Sequence, residues 1–92
     1  MKARDQKRFE AEQRQARSRQ RKEQQQLVHR LEKEIHALEA RQVELTAELE
    51  KPETYQQPGR ALQVNRDLTH ALEDLKTLTA EWEVAAMKLE EA

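Results

Sequence analysis

Ninety-two residues allow one domain at most, close to the lower size limit for a self-sufficient core. Apolar residues make up 36% of the chain and charged residues 38%, which excludes a globular interior but leaves enough for one long helical stripe. The net charge is only −1, yet residues 1–30 hold ten basic side chains against four acids, net +6, and the rest of the chain carries −7. Cysteine is absent, which excludes disulfides, zinc knuckles and thiol nucleophiles and fits a reducing cytoplasmic setting.

Residues 1–17 read as a basic N-terminal arm or linker, helical or disordered. The chain opens Met-Lys-Ala-Arg-Asp-Gln-Lys-Arg with no apolar stretch behind it, so no secretory signal is expected. No run approaches the ~20 apolar residues of a membrane span, and no membrane partner is expected. Lys7, Arg8, Arg14, Arg17, Arg19, Arg21 and Lys22 are the candidate nucleic-acid contacts, because the planar fork of arginine binds phosphate oxygens in pairs. Phe9 is the arm's one aromatic, too few for base stacking, so any binding should be backbone-driven, salt-sensitive and tolerant of sequence. Two other readings of the arm are a solvated spacer and a contact for an acidic protein or lipid surface.

A first long helix is expected over 18–50. Val28, Leu31, Ile35, Leu38, Gln42, Leu45 and Leu49 recur in alternating steps of three and four, a heptad with Val28, Ile35, Gln42 and Leu49 at a and Leu31, Leu38 and Leu45 at d. Running that frame backwards reaches Gln24, Arg21, Arg17, Arg14 and Lys7, so the apolar stripe becomes a positive one.

The turn is expected over 51–59. Pro52, Pro58 and Gly59 are the only strong helix breakers in the chain, and all lie within one short window. Tyr55 sits at its centre, either packed back on Leu49 and Leu62 or exposed at the tip to meet a partner.

A second helix is expected over 60–91. Leu68, Leu75, Trp82 and Leu89 take d, and Asn65, Leu72, Thr79 and Ala86 take a. Antiparallel pairing of a with d then matches Leu49 with Ala61, Leu45 with Asn65, Gln42 with Leu68, Leu38 with Leu72, Ile35 with Leu75, Leu31 with Thr79 and Val28 with Trp82. That register is centred on Tyr55, where the breakers also fall, and it sets Ala92 opposite Ser18. The fold class is therefore all-α, a monomeric two-helix antiparallel coiled-coil hairpin over 18–92 with a basic extension. Its core would be Val28, Leu31, Ile35, Leu38, Leu45, Leu49, Leu68, Leu72, Leu75 and Trp82, with Trp82 as an exposed anchor the other option. Gln42 and Asn65 would be polar seam layers that penalise slipped registers, or the half-exposed end of the seam. Leu27, Ala71, Leu78 and Ala85 fall beside the seam and would widen the stripe, for closer packing or for docking.

Catalytic constellations are missing. His29 and His36 are seven apart, wrong for a shared metal on a helix, and Asp67 with His70 has no second pair to complete a cage. Glu73–Asp74 and Glu90–Glu91 fall on solvated faces, and there is no glycine-rich phosphate loop. The chain is not expected to be an enzyme or to hold a metal or cofactor of its own.

The run from Leu31 to Tyr55, ending Leu49-Glu-Lys-Pro52-Glu53-Thr-Tyr55, together with the returning Ala80-Glu81-Trp82-Glu83, resembles the C-terminal coiled-coil domain of ABC-F ATPases of the Uup type. The Pro-Glu-x-Tyr turn and the Trp on the return helix carry the likeness, which covers roughly 18–92. It implies a cytoplasmic parent with two ATP-binding cassettes upstream, where ATP and Mg2+ would bind. Family members act on ribosomes, and the Uup-type domain is associated with DNA, branched DNA included. By resemblance the hairpin would be a non-catalytic arm on DNA, ribosomal RNA or tRNA that positions the ATPase. The alternative is a protein-interaction hairpin docking on its own cassettes or another helix through the Leu27/Leu78/Ala85 flank. At the entry to the first helix the family's Lys-Leu-Ser-Tyr-like sequence is replaced by Arg17-Ser18-Arg19-Gln20.

Overall fold

The computed structural model describes residues 2–92. Among them the chain forms three helices and no strand: α1 (Lys2–Leu49), α2 (Pro52–Gln56) and α3 (Arg60–Glu91). α1 and α3 lie antiparallel against each other, giving a rod of 81 × 17 × 15 Å. The expected all-α hairpin is therefore what the chain builds. Its first helix does not begin near residue 18 but runs unbroken from Lys2, because strong helix formers fill the arm and neither glycine nor proline interrupts it.

The reversal is tighter than a loop. Pro52 starts the single turn of α2 at the first helical position, where its missing N–H would have had no partner. The last carbonyls of α1 are taken up locally: Glu48 O accepts from the Lys51 amide at 3.2 Å and from the Thr54 hydroxyl at 2.6 Å. Leu49 O accepts from the Tyr55 hydroxyl, also at 2.6 Å. These bonds supply the partners that a helix end otherwise lacks. Gly59 then opens α3 in the left-handed conformation, with φ of 75°. Tyr55 is exposed at the tip, its hydroxyl bonded back to the Leu49 carbonyl.

Four cross-helix bonds fix the register: Arg21 to Ala92, Gln24 to Ala85, Arg41 to Asp67 and Arg60 to Glu48. Their midpoints fall between Thr54 and Gln57, around the Tyr55 expected. At the open end the Arg21 side chain reaches the carbonyl of Ala92.

The face of α3 differs from expectation. Leu72 is 45% exposed and is not a core residue, and Asn65 and Thr79 also point to solvent. In their place Val64, Ala71 and Ala85 are buried and Leu78 is half-buried. Leu68, Leu75, Trp82 and Leu89 keep their seam positions, but the partner row lies three residues ahead of each and not four. The reason is the sum over the row. Val64, Ala71, Leu78 and Ala85 are all apolar, whereas the rejected row would desolvate the amide of Asn65 and the hydroxyl of Thr79 to hide one leucine. The two alanines also let α1 and α3 approach closely.

The core gathers in two clusters. Near the open end Val28, Leu31 and Ala85 pack with Leu27, Leu78, Trp82 and Leu89. Near the turn Leu45, Val64 and Ala71 pack with Leu38, Leu49 and Leu68. Ile35, Leu75 and Gln42 lie between them, half-buried. Gln42 is thus the one polar seam layer of the two expected.

Candidate nucleic-acid interface

The hairpin ends before α1 does. α3 stops where Arg21 donates to the carbonyl of Ala92 at 3.1 Å and Gln24 donates to that of Ala85 at 2.9 Å. From Lys2 to Gln20 α1 has no partner helix, and every side chain there except the half-buried Ala11 is exposed. At 1.5 Å per residue this free segment extends for roughly 27 Å.

All seven candidate phosphate contacts lie on this projection or at its root. With about 100° between successive residues, they divide into two rows. Lys7, Arg14, Arg17 and Arg21 continue the seam face of the hairpin. Arg8, Arg19 and Lys22 lie roughly 120° around the helix from them, and Arg4, which the candidate set omits, joins this second row. Ala11 and Ser18 occupy the strip between the rows, and Gln15 falls within the second row. Asp5, Glu12 and Glu23 group beyond the second row, away from that strip, while Glu10 falls within the first row, between Arg17 and Arg21 around the helix.

Few of these cations are held by the protein. Arg8 faces Glu12 at 3.6 Å, an i,i+4 pair with both side chains mostly exposed, worth at most about 0.5 kcal/mol and readily exchanged for a phosphate. Arg21 has one guanidinium nitrogen on Ala92. Gln13, Ala16, Arg17, Arg19, Gln20 and Glu23 line a shallow depression on the arm.

The remaining expected features are distributed as follows. Among the described residues no group of three or more His, Cys, Asp or Glu side chains could hold a metal. No described helix is long and apolar enough to cross a membrane. Of the flank expected for docking, Ala85 is buried and Leu27 and Leu78 are half-buried against the open-end cluster. Trp82 belongs to that same cluster rather than to the surface, and its indole N–H is buried without a protein acceptor. The sequence reading missed Thr54 as the buried lock of the turn and Glu48 as the carboxylate that pairs with Arg60 across it. A hydroxyl two residues after Pro52 was the available signal for the first. Glu48 and Arg60 equidistant from Thr54 was the signal for the second.

Comparisons with curated proteins and with solved structures give no match. The family described as ABC transporter C-terminal domain matches residues 18–86, three quarters of the chain and nearly all of the hairpin, while the basic arm up to Arg17 lies outside the match. The chain belongs to the ABC transporter C-terminal domain family.

Proposed function

We propose that this chain is the non-catalytic, nucleic-acid-binding C-terminal domain of an ABC-F ATPase of the Uup type, with the hairpin as a rigid strut and the arm as the contact. The observation that carries this reading is the free cationic projection: Lys7, Arg8, Arg14, Arg17, Arg19 and Lys22 all exposed on a helix that has outrun its partner. A spacer of equal length would not need net positive charge, and a helix meant to pack on protein would carry an apolar row. The family match supports an ABC-type parent protein; the proposal adds ATP and Mg2+ in that parent's cassettes, a cytoplasmic setting, and DNA, tRNA or ribosomal RNA as the ligand.

Fluorescence anisotropy of labelled duplex DNA, a four-way junction and tRNA, titrated with the full chain at two salt concentrations, tests the reading. Binding that weakens steeply with salt and is abolished by joint Arg14→Glu, Arg17→Glu and Arg19→Glu supports it. No binding at low salt, or binding indifferent to the three substitutions, overturns it. The nucleic acid bound most tightly separates a role on DNA from one in translation.

A further inference from the structure

We propose that the arm binds B-form duplex DNA by lying lengthwise in the major groove, one basic row against each phosphate wall. The inference rests on the phosphate-binding reading above and adds the form of the ligand and the mode of contact.

Three features of the arm converge on it. The cations do not cluster on one stripe, as they would for a helix resting on a flat anionic surface. They form two rows roughly 120° apart, with Lys7, Arg14 and Arg17 on one side and Arg4, Arg8 and Arg19 on the other. A helix between two walls of phosphate needs this distribution. The strip between the rows carries Ala11 and Ser18, which are small and let the helix axis sink toward the base edges, with Gln15 beside it in the second row. Gln15 and Ser18 can hydrogen-bond there, but neither offers the paired guanidinium contact that reads guanine. Finally, the arm is a bare helix about 10–12 Å across, and the major groove of B-DNA, about 12 Å wide, admits one.

The duplex form follows from the same dimensions. The major groove of A-form RNA is deep and too narrow for a helix, so the second row would lose its wall. Single strands have no two walls at all. The hairpin limits how far the arm can enter, because α3 covers the seam face from Arg21 onward and the acids at its end, Glu90 and Glu91, repel phosphate. The groove should therefore hold the roughly 27 Å from Lys2 to Gln20.

The test uses the full chain with equal-length duplex DNA and duplex RNA of one sequence. Two triple variants, Lys7→Gln/Arg14→Gln/Arg17→Gln and Arg4→Gln/Arg8→Gln/Arg19→Gln, each empty one row while keeping a good helix former at every site. Circular dichroism confirms that helix is retained. Each triple should reduce the slope of log K against log salt by about 2–3. Duplex DNA should bind at least tenfold more tightly than duplex RNA, and bound chain should protect guanine N7 from methylation while leaving adenine N3 reactive. Equal binding of the two duplexes, an unchanged slope in either triple, or unprotected guanine N7 overturns the groove mode and leaves phosphate binding standing. Absence of binding to any nucleic acid overturns both.

Discussion

Gln24 reaches across the open end of the hairpin and donates its side-chain amide to the main-chain carbonyl of Ala85, 2.9 Å away. It is the last seam position of α1 before the stripe turns basic, and it is half-buried. Because the carbonyl belongs to the α3 backbone, the bond measures axial position along α3 independently of which side chains surround it. Replacing Gln24 by Ala removes the bond and should destabilise the chain by about 0.5–1.5 kcal/mol. Urea unfolding followed by circular dichroism at 222 nm checks this, with an unchanged midpoint counting against any contribution of the bond.

Leu72 and Leu78 distinguish the two possible faces of α3. Leu72 is 45% exposed and Leu78 packs on the open-end cluster. Leu72→Glu should therefore change stability by no more than about 0.5 kcal/mol. Leu78→Glu places a carboxylate against Val28 and Leu31 and should cost several kcal/mol, enough to melt the isolated hairpin. Equal sensitivity of the two positions in thermal unfolding would contradict the observed face.

That pair also marks how far the sequence could be read. The heptad of α1 was legible because Val28, Leu31, Ile35, Leu38 and Leu45 leave only one apolar stripe, and the reversal was legible because every strong breaker falls between Pro52 and Gly59. α3 was ambiguous because Leu68, Leu75, Trp82 and Leu89 can take either heptad position, and the two rows beside them differ only by one residue along the chain. Weighing Val64 and Leu78 against Asn65 and Thr79 resolves it, but the large Leu72 drew the pattern to the wrong row. Side-chain locks such as Thr54 to Glu48 were not legible, since they depend on the path of the turn rather than on spacing. The cationic residues of the arm were plain from composition, whereas their division into two rows required the helix to continue to Lys2.

Among the described residues Gly59 is the one with positive φ, at 75°. A Cβ there would meet nothing within 4 Å, so any penalty for a side chain comes from the backbone alone. Gly59→Ala should destabilise by about 1 kcal/mol, the left-handed penalty partly offset by the stiffer unfolded chain. Gly59→Asn should cost less, because asparagine tolerates this region. Equal losses for Ala and Asn in chemical denaturation would place the penalty in packing and not in the backbone.

Thr54 and Tyr55 donate to neighbouring carbonyls at the end of α1 with equal length, 2.6 Å, and differ in burial: Thr54 is 4% exposed and Tyr55 62%. Length alone would make their removal equivalent. Burial decides otherwise, because water can replace the tyrosine hydroxyl at Leu49 O but reaches the threonine site poorly. Thr54→Val keeps the shape and loses the bond, and should destabilise by about 1–2 kcal/mol, whereas Tyr55→Phe should cost less than about 0.5 kcal/mol. Paired urea titrations of the two variants measure the difference, and a larger loss for Tyr55→Phe would mean that the exposed tip, rather than the buried hydroxyl, holds the turn.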